Sequence, residues 1–433
     1  MNYLADELNF LLDGTVAGRL LSPLGRRLYF PKGIIAQSAE AKQGAHTANA
    51  TIGMAYHQGK PLTLSVINEQ MPQLKPEEAV VYAPTAGIPE ARKAWKDRIL
   101  RHNPSLGAEQ MSLPVVVPGL TAGISYMADL FLGEGTPMLL SSPCWDNYEL
   151  IFQERRGAEL REIPFFDVAG GLDMGAFKHA LARAAKTGTV RIILNFPNNP
   201  SGYCPTVSEA DALLAGIGEI AEEGADVLVL CDDAYFGLFY EAACMKESLF
   251  SRLAQAHERI LAVKIDGPTK EDYVWGFRMG FITFGSLGLQ ERHYEGLVKK
   301  LMGAIRSSVS CSNTPAQYLM LKTLQDERTS AEKERYHTLL QRRYQGVKQF
   351  LHEHPAHPHL RPLPFNAGYF MSFRCTGIRA EALRQELLAK HGIGTISFGE
   401  TYLRVAFSSI DEEQIPEVYQ LIYDTARDMG SGT

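Results

Sequence analysis

Lys270 stands between two apolar runs, Ile260-Leu-Ala-Val263 and Phe281-Ile-Thr-Phe284, just beyond the turn-forming Asp266-Gly-Pro268. Arg278 follows eight residues later. An amine held where a strand gives way to a turn can be partly desolvated. Its pKa then falls, and it is suited to condense with a carbonyl as an imine. A guanidinium close by suits a fork-shaped grip on a phosphate. By themselves the two residues read better as surface charges beside a strand. Other stretches supply what such an amine would work with. An aromatic aldehyde bearing a phosphate needs a flat partner for its ring, a carboxylate at its ring nitrogen, a donor to its ring oxygen and a cup for its phosphate. Trp145 offers the ring partner, Asp232 the carboxylate, and Asn199 with Tyr235 the donors. Gly119, Leu120 and Thr121, opening a helix, would turn backbone N–H groups and the positive end of a helix dipole toward the phosphate, with Arg278 adding charge.

From about residue 114, short and nearly continuous apolar strands alternate with helical stretches. Val115–Val117 reads as a strand, Pro118–Gly123 as a turn and Ile124–Leu132 as a helix. Pro137–Leu140 is the next strand, followed by Ser141–Trp145 and a helix to about Glu154. Arg191–Leu194 is a strand ending in Asn195-Phe-Pro-Asn-Asn199-Pro-Ser-Gly202; Ser208 caps a helix to about Glu223; Val227–Leu230 is a strand ending in Cys231-Asp-Asp-Ala-Tyr235. This alternation predicts an α/β fold whose mostly parallel sheet is covered on both faces. Thr121, Trp145, Asn199, Asp232 and Lys270 each fall in a loop after the carboxyl end of a strand, the edge where open α/β sheets bind ligands. Upstream, Leu8–Leu12 predicts a short helix and Pro89 opens another. The C-terminal part predicts a smaller α+β unit: a charged helix Thr329–Gln349, strands Gly368–Phe373 and Tyr402–Phe407, a helix Ala380–Lys390 and a terminal helix from Asp411. The expected division is a large domain over 66–328 and a small one over 329–433, to which 1–65 contributes.

With 433 residues, 45% hydrophobic and 21% charged, the chain has room for one large core or two domains. A net charge of −6 with dispersed acidic residues gives no basic face for nucleic acid. No apolar run approaches the ~18–20 residues of a membrane span, and Met1–Glu7 does not read as a signal peptide. The six cysteines form no C-x-x-C and no metal spacing with histidine, which points to reduced thiols in a cytoplasmic protein. His352, His354, His357 and His359 lie in a proline-containing run that reads as a solvated loop, not a metal site.

Asn198-Asn-Pro-Ser-Gly202 resembles an N-N-P-T-G motif, Asp232-Asp-Ala-Tyr235 a D-x-A-Y, and Lys270 with Gly276-Phe-Arg278 a lysine followed by G-x-R. All three, in this order and spacing, are similar to the fold-type I pyridoxal-phosphate enzymes, specifically the class I/II aminotransferases. Gly59-Lys-Pro-Leu62, Tyr82-Ala-Pro-Thr-Ala-Gly87 and Pro143-Cys-Trp145 resemble the aspartate aminotransferase branch. The resemblance runs from about residue 50 to the C-terminus. It implies pyridoxal 5′-phosphate bound through Lys270, with the ring nitrogen held protonated by Asp232 as an electron sink. It also implies Tyr235 and Asn199 on the ring oxygen and Trp145 on the ring face. Tyr82 would reach the phosphate of a neighbouring subunit, making a homodimer, and Arg404 would clamp the substrate α-carboxylate. The implied activity moves an amino group between an L-amino acid and a 2-oxo acid, with Lys270 as general base and then acid. Arg306 is the candidate for a distal carboxylate, and aspartate with 2-oxoglutarate the candidate substrates.

Two residues depart from the pattern. Gly267 stands where the family often has a serine that helps the phosphate, so the cup is expected to be built differently. Lys264 is a second lysine on the strand, fourteen residues before Arg278 and thus at the wrong spacing. A lyase or decarboxylase using Lys270, Asp232 and Arg404 is the alternative activity. A non-catalytic regulator would need a DNA-binding domain for which the N-terminus is too short, and a nicotinamide enzyme would need a G-x-G-x-x-G that is lacking.

Overall fold

The computed structural model of the protein describes residues 2–13, 15, 19–29 and 33–431. Its largest sheet is built from β1 (Val115–Val117), β2 (Pro137–Ser142), β3 (Glu159–Pro164), β4 (Thr189–Asn195), β5 (Asp226–Asp232), β6 (Ile260–Asp266) and β7 (Gly280–Gly285), in the order β1-β7-β6-β5-β4-β2-β3. The pairs β3–β2–β4–β5–β6 are parallel, and β7 runs antiparallel to both of its neighbours. Side chains of β5 alternate between two cores. Val227, Val229 and Cys231 enter one, Leu228 and Leu230 the other. Both faces of the strand are therefore buried, which is why it reads as a continuous apolar run.

The antiparallel β7 changes the setting of the lysine. Lys270 lies not in a crossover but in the 267–279 connection that folds β6 back onto β7. The helix after β1 runs Leu120–Phe131, one turn earlier than its apolar pattern suggests, because Gly119 at φ +92° ends the strand abruptly. The helix Val207–Glu222 is capped by Thr206, not Ser208. Its hydroxyl accepts from Glu209 N, and the Glu209 carboxylate accepts from Thr206 N at 2.8 Å.

A second sheet, β8 (Leu360–Pro362), β9 (Phe370–Cys375), β10 (Ile396–Phe398) and β11 (Tyr402–Ala406), is antiparallel in the order β8-β9-β11-β10. Helices Arg328–Glu353, Ala380–His391 and Ile415–Ser431 pack their apolar faces onto it through Leu340, Val347, Leu383, Leu387, Val418 and Ile422. The N-terminal part joins this unit. Ala48–Asn49 pairs with Ile393–Gly394, and Ala406 N donates to Ala50 O at 2.9 Å. Strand β11 is thereby laid against the end of the large sheet that carries the loops after β4 and β5. No helix among the described residues is long and apolar enough to cross a membrane.

Candidate active site

The loops after β1, β2, β4, β5 and β6 converge on a cavity of about 130 Å³. Leu120, Thr121, Trp145, Asn199, Asp232, Tyr235, Lys270 and Arg278 all line it, together with Asn195 and Thr269. A larger open cleft of about 750 Å³, between the ends of β2 and β3 and the second sheet, contains none of these groups.

Lys270 is half-buried, with Nζ 5.1 Å from the Tyr235 ring centroid. Its carbonyl accepts from the Tyr369 hydroxyl at 2.9 Å. Burial lowers its ammonium to about 8; Asp232 opposes this, while Arg278 and Arg404 add to it. The next two residues are clamped: Arg98 and Lys333 both pair with Glu271 and with Asp272. Lys264, by contrast, does not line the cavity. It is buried in β6 and ion-paired with Asp233, 3.5 Å from Asp266.

Asp232 ends β5 and is buried. The Tyr148 hydroxyl donates to Oδ2 at 2.5 Å and Ala234 N to Oδ1 at 3.2 Å. Burial raises its carboxyl to about 6, against both hydrogen bonds. Asn195 holds the loops after β4 and β5 in register. Its amide donates to Asp232 O and its Oδ1 accepts from Asn199 N, each at 2.8 Å.

The floor of the cavity beside Leu120 and Thr121 has the build to cradle an anion. Helix Leu120–Phe131 begins there, and its first N–H groups have no partner within the helix. A Cβ on Gly119 would lie 2.8 Å from Arg278 Nη2, so the guanidinium closes over backbone that only glycine leaves bare. Arg278 itself adopts the left-handed conformation, φ 50° and ψ 54°, a costly one for a non-glycine residue. Gly267 has no room for a side chain, since a Cβ would stand 2.9 Å from Gly280 Cα and 3.0 Å from Met279 O. The hydroxyl on this wall belongs instead to buried Thr269.

Arg404, on β11, is buried and makes no ion pair among the described residues. Its Nη1 donates to Asn199 Oδ1 and its Nη2 to Thr51 O, both at 2.8 Å, while Nε is buried without a partner. Burial lowers it to about 10. Tyr82, 88% exposed, and Arg306, exposed at the end of helix Glu291–Arg306, are not brought to the cavity of their own chain. The residues that sequence reasoning missed are Tyr148, Asn195, Thr269, Tyr369 and Thr51. For Tyr148 a signal existed: it stands three residues past Trp145, one helical turn away.

A cavity with a weakly basic amine, a carboxylate lacking a cation and an anion cradle suits a phosphorylated pyridine aldehyde, and enzymes built around that cofactor are the class the fold and the site define. Within it, the chain belongs to the aminotransferase class I and II family, whose model matches residues 52–422. It is 24% identical over 339 residues to the aromatic-amino-acid aminotransferase 2 of Thermococcus litoralis, covering 77% of this chain and 80% of that one. It is 23% identical to the aspartate aminotransferase of Pyrococcus abyssi over the same shares. The crystal structure of an aminotransferase from Anaerococcus prevotii superposes with a TM-score of 0.82 at 21% identity, over 92% of this chain and 98% of the other. The fold is that of the pyridoxal-phosphate transferases, and the protein is a transaminase.

Proposed function

We propose that this aminotransferase holds pyridoxal 5′-phosphate in the cavity of Lys270 and Asp232 and moves the amino group of L-aspartate to 2-oxoglutarate. The observation that carries the site assignment is the unpaired buried guanidinium of Arg404. Its Nε lacks a partner, and among the described residues no carboxylate stands within ion-pair distance of it, Asp146 acting on it only from farther off, so a carboxylate brought by the substrate fits there. The cofactor residues fit as well: the cradle of Gly119, Leu120, Thr121 and Arg278 for the phosphate, Trp145 for the ring face, Asn199 and Tyr235 for the ring oxygen. When bound, the cofactor supplies a protonated ring that withdraws electrons from the substrate Cα.

Each protein group then has a task. Arg404 orients the α-carboxylate so that the Cα–H bond faces Lys270. With its pKa lowered to about 8, Lys270 Nζ is in part a free base near neutrality; it accepts the Cα proton and later gives one back. Asp232 holds positive charge at the ring nitrogen, and Trp145 keeps water off the ring.

The assembly proposed is a homodimer. Val80, Val81 and Tyr82 are 81%, 54% and 88% exposed, a run of large apolar side chains that a second copy would cover. Tyr82 would then reach the partner's phosphate, and Arg306 could meet a distal carboxylate only in such an assembly. We read 66–328 as the cofactor domain and 1–65 with 329–433 as the domain that brings Arg404. The six free cysteines support a reducing compartment, the cytoplasm. Half-reaction rates with aspartate, alanine and phenylalanine test the substrate: no preference for aspartate or glutamate would sink it.

A further inference from the structure

Asp232 and Asp233 are neighbours at the end of β5 and are compensated differently. Asp233 has a full counter-charge in Lys264 and accepts from Ser248 Oγ at 2.6 Å. Asp232 has no ion pair among the described residues; its partners are two neutral donors, the Tyr148 phenol at 2.5 Å and the Ala234 N–H. Tyr148 is 1% exposed and fixed by an edge contact with Trp145 (5.4 Å) and a stack with Phe152 (5.7 Å). Burial and the adjacent carboxylate push its phenol well above the usual range, so it stays a neutral donor.

We propose that Tyr148 is a positioning residue that keeps the Asp232 carboxylate ionised without neutralising it, leaving the counter-charge to the proton on the cofactor's ring nitrogen. The inference rests on the reading of this cavity as a pyridoxal-phosphate site. A short O–H···O⁻ bond to an ionised acceptor is among the stronger hydrogen bonds. Here it works against the burial that pushes Asp232 toward its acid form. The other titratable groups felt by this carboxylate are Asp233, which disfavours its charge and is itself paired with Lys264, Lys270, which favours it, and Tyr235, Tyr148 and Cys231, which stay neutral. Without the phenol hydroxyl, the proton shared by ring nitrogen and carboxylate would pass toward the carboxylate. With a fixed cation in its place, the negative charge would already be spent. A neutral donor avoids both.

The test is the ring-nitrogen signal of the loaded protein, not its turnover. Wild type, Tyr148→Phe and Tyr148→His are loaded with cofactor ¹⁵N-labelled at the ring, and the ¹⁵N shift is followed from pH 6 to 9. Wild type is expected to hold the protonated-pyridine shift near neutrality. Tyr148→Phe should move the equilibrium toward neutral pyridine by about tenfold or more, the loss of one charge-assisted hydrogen bond. Tyr148→His, which keeps a donor, should lie nearer wild type. A packing role reverses that order, because Phe fills the same space and His does not. A wild-type shift in Tyr148→Phe overturns the proposal. If that variant does not load, a neutral-pyridine shift in Tyr148→His overturns it, and a protonated one supports it. Failure of the wild type to take up cofactor would instead sink the reading of the site, a separate and visible outcome.

Discussion

Arg404 on the second sheet and Asn199 in the loop after β4 of the large one are joined by a hydrogen bond of 2.8 Å, Nη1 to Oδ1. One asparagine thus faces the cofactor cavity and also fixes the guanidinium proposed to hold the substrate. The bond spends one corner of the fork and aims the rest, with the Arg404 guanidinium carbon 4.1 Å from the Phe370 ring centroid as a second support.

Arg404→Lys keeps a positive charge but loses the fork. The expected result is a fall of about a hundredfold in kcat/KM for the amino donor, within the ~2–5 kcal/mol typical of spoiling a buried charged contact. The cofactor absorption should be unchanged. Single-turnover kinetics against donor concentration measure it, and an unaltered kcat/KM would remove Arg404 from substrate binding.

The lowered pKa of Lys270 has a direct sign. Below about 8 its amine is mostly protonated and cannot attack an aldehyde; above it the free base dominates. Cofactor uptake by the apoprotein should therefore speed up as pH rises through about 8 and level off beyond it. Asp232→Asn removes the nearby negative charge that raises this pKa and should move the midpoint lower. Stopped-flow absorbance follows both, and Lys270→Ala should leave nothing for borohydride to fix.

Much of this arrangement is legible in the chain because its strands are buried on both faces. Val227–Leu230 and Ile260–Val263 announce themselves as apolar runs, and Asp232 and Lys270 stand out as polar residues just beyond them. The edge strand β3, Glu159-Leu-Arg-Glu-Ile-Pro164, is half polar and gives no such signal. The helices Met174–Ala185 and Thr314–Gln325 lie between the stretches that carry chemistry, and no motif marks them. Tyr148 donates to a residue 84 positions away, and no local pattern encodes that bond. Nor does any local pattern show that Gly267 packs against Gly280 from the returning strand.

Gly267→Ser, which restores the residue often found there in the family, should harm this protein. The new Cβ meets backbone at 2.9 and 3.0 Å, and backbone in a paired strand cannot step aside cheaply. A loss of about 1–3 kcal/mol is expected, read as a lower Tm, with weaker phosphate binding and not stronger. Thr269→Val, by contrast, should weaken cofactor affinity with little change in Tm if its hydroxyl serves the phosphate.

Lys264 and Lys270 should separate cleanly. Lys264→Met leaves Asp233 buried without its cation, a loss of about 3–5 kcal/mol for breaking a buried pair from one side. What folds should still carry the cofactor band. Lys270→Met should keep its stability within about 1 kcal/mol of wild type and lose the band. Thermal melts and visible spectra of the two variants decide between the lysines, and the opposite pattern would move the chemistry to Lys264.

Tyr82 offers a test of the shared site that does not depend on seeing the dimer. It is 88% exposed and does not line the cavity of its own chain. If it serves the partner's phosphate, Tyr82→Phe should weaken cofactor binding in the pure variant. Mixing Tyr82→Phe with Lys270→Ala should then generate hybrids in which one site has both defects and the other has neither. Activity would rise on mixing toward about a quarter of wild type, since random re-pairing makes half the dimers hybrids, each with one intact site. If Tyr82 served its own subunit, both sites of every hybrid would keep one defect and mixing would add nothing. Two defects far apart on one chain can complement each other only across an interface, so a rise on mixing would place Tyr82 in the neighbour's site.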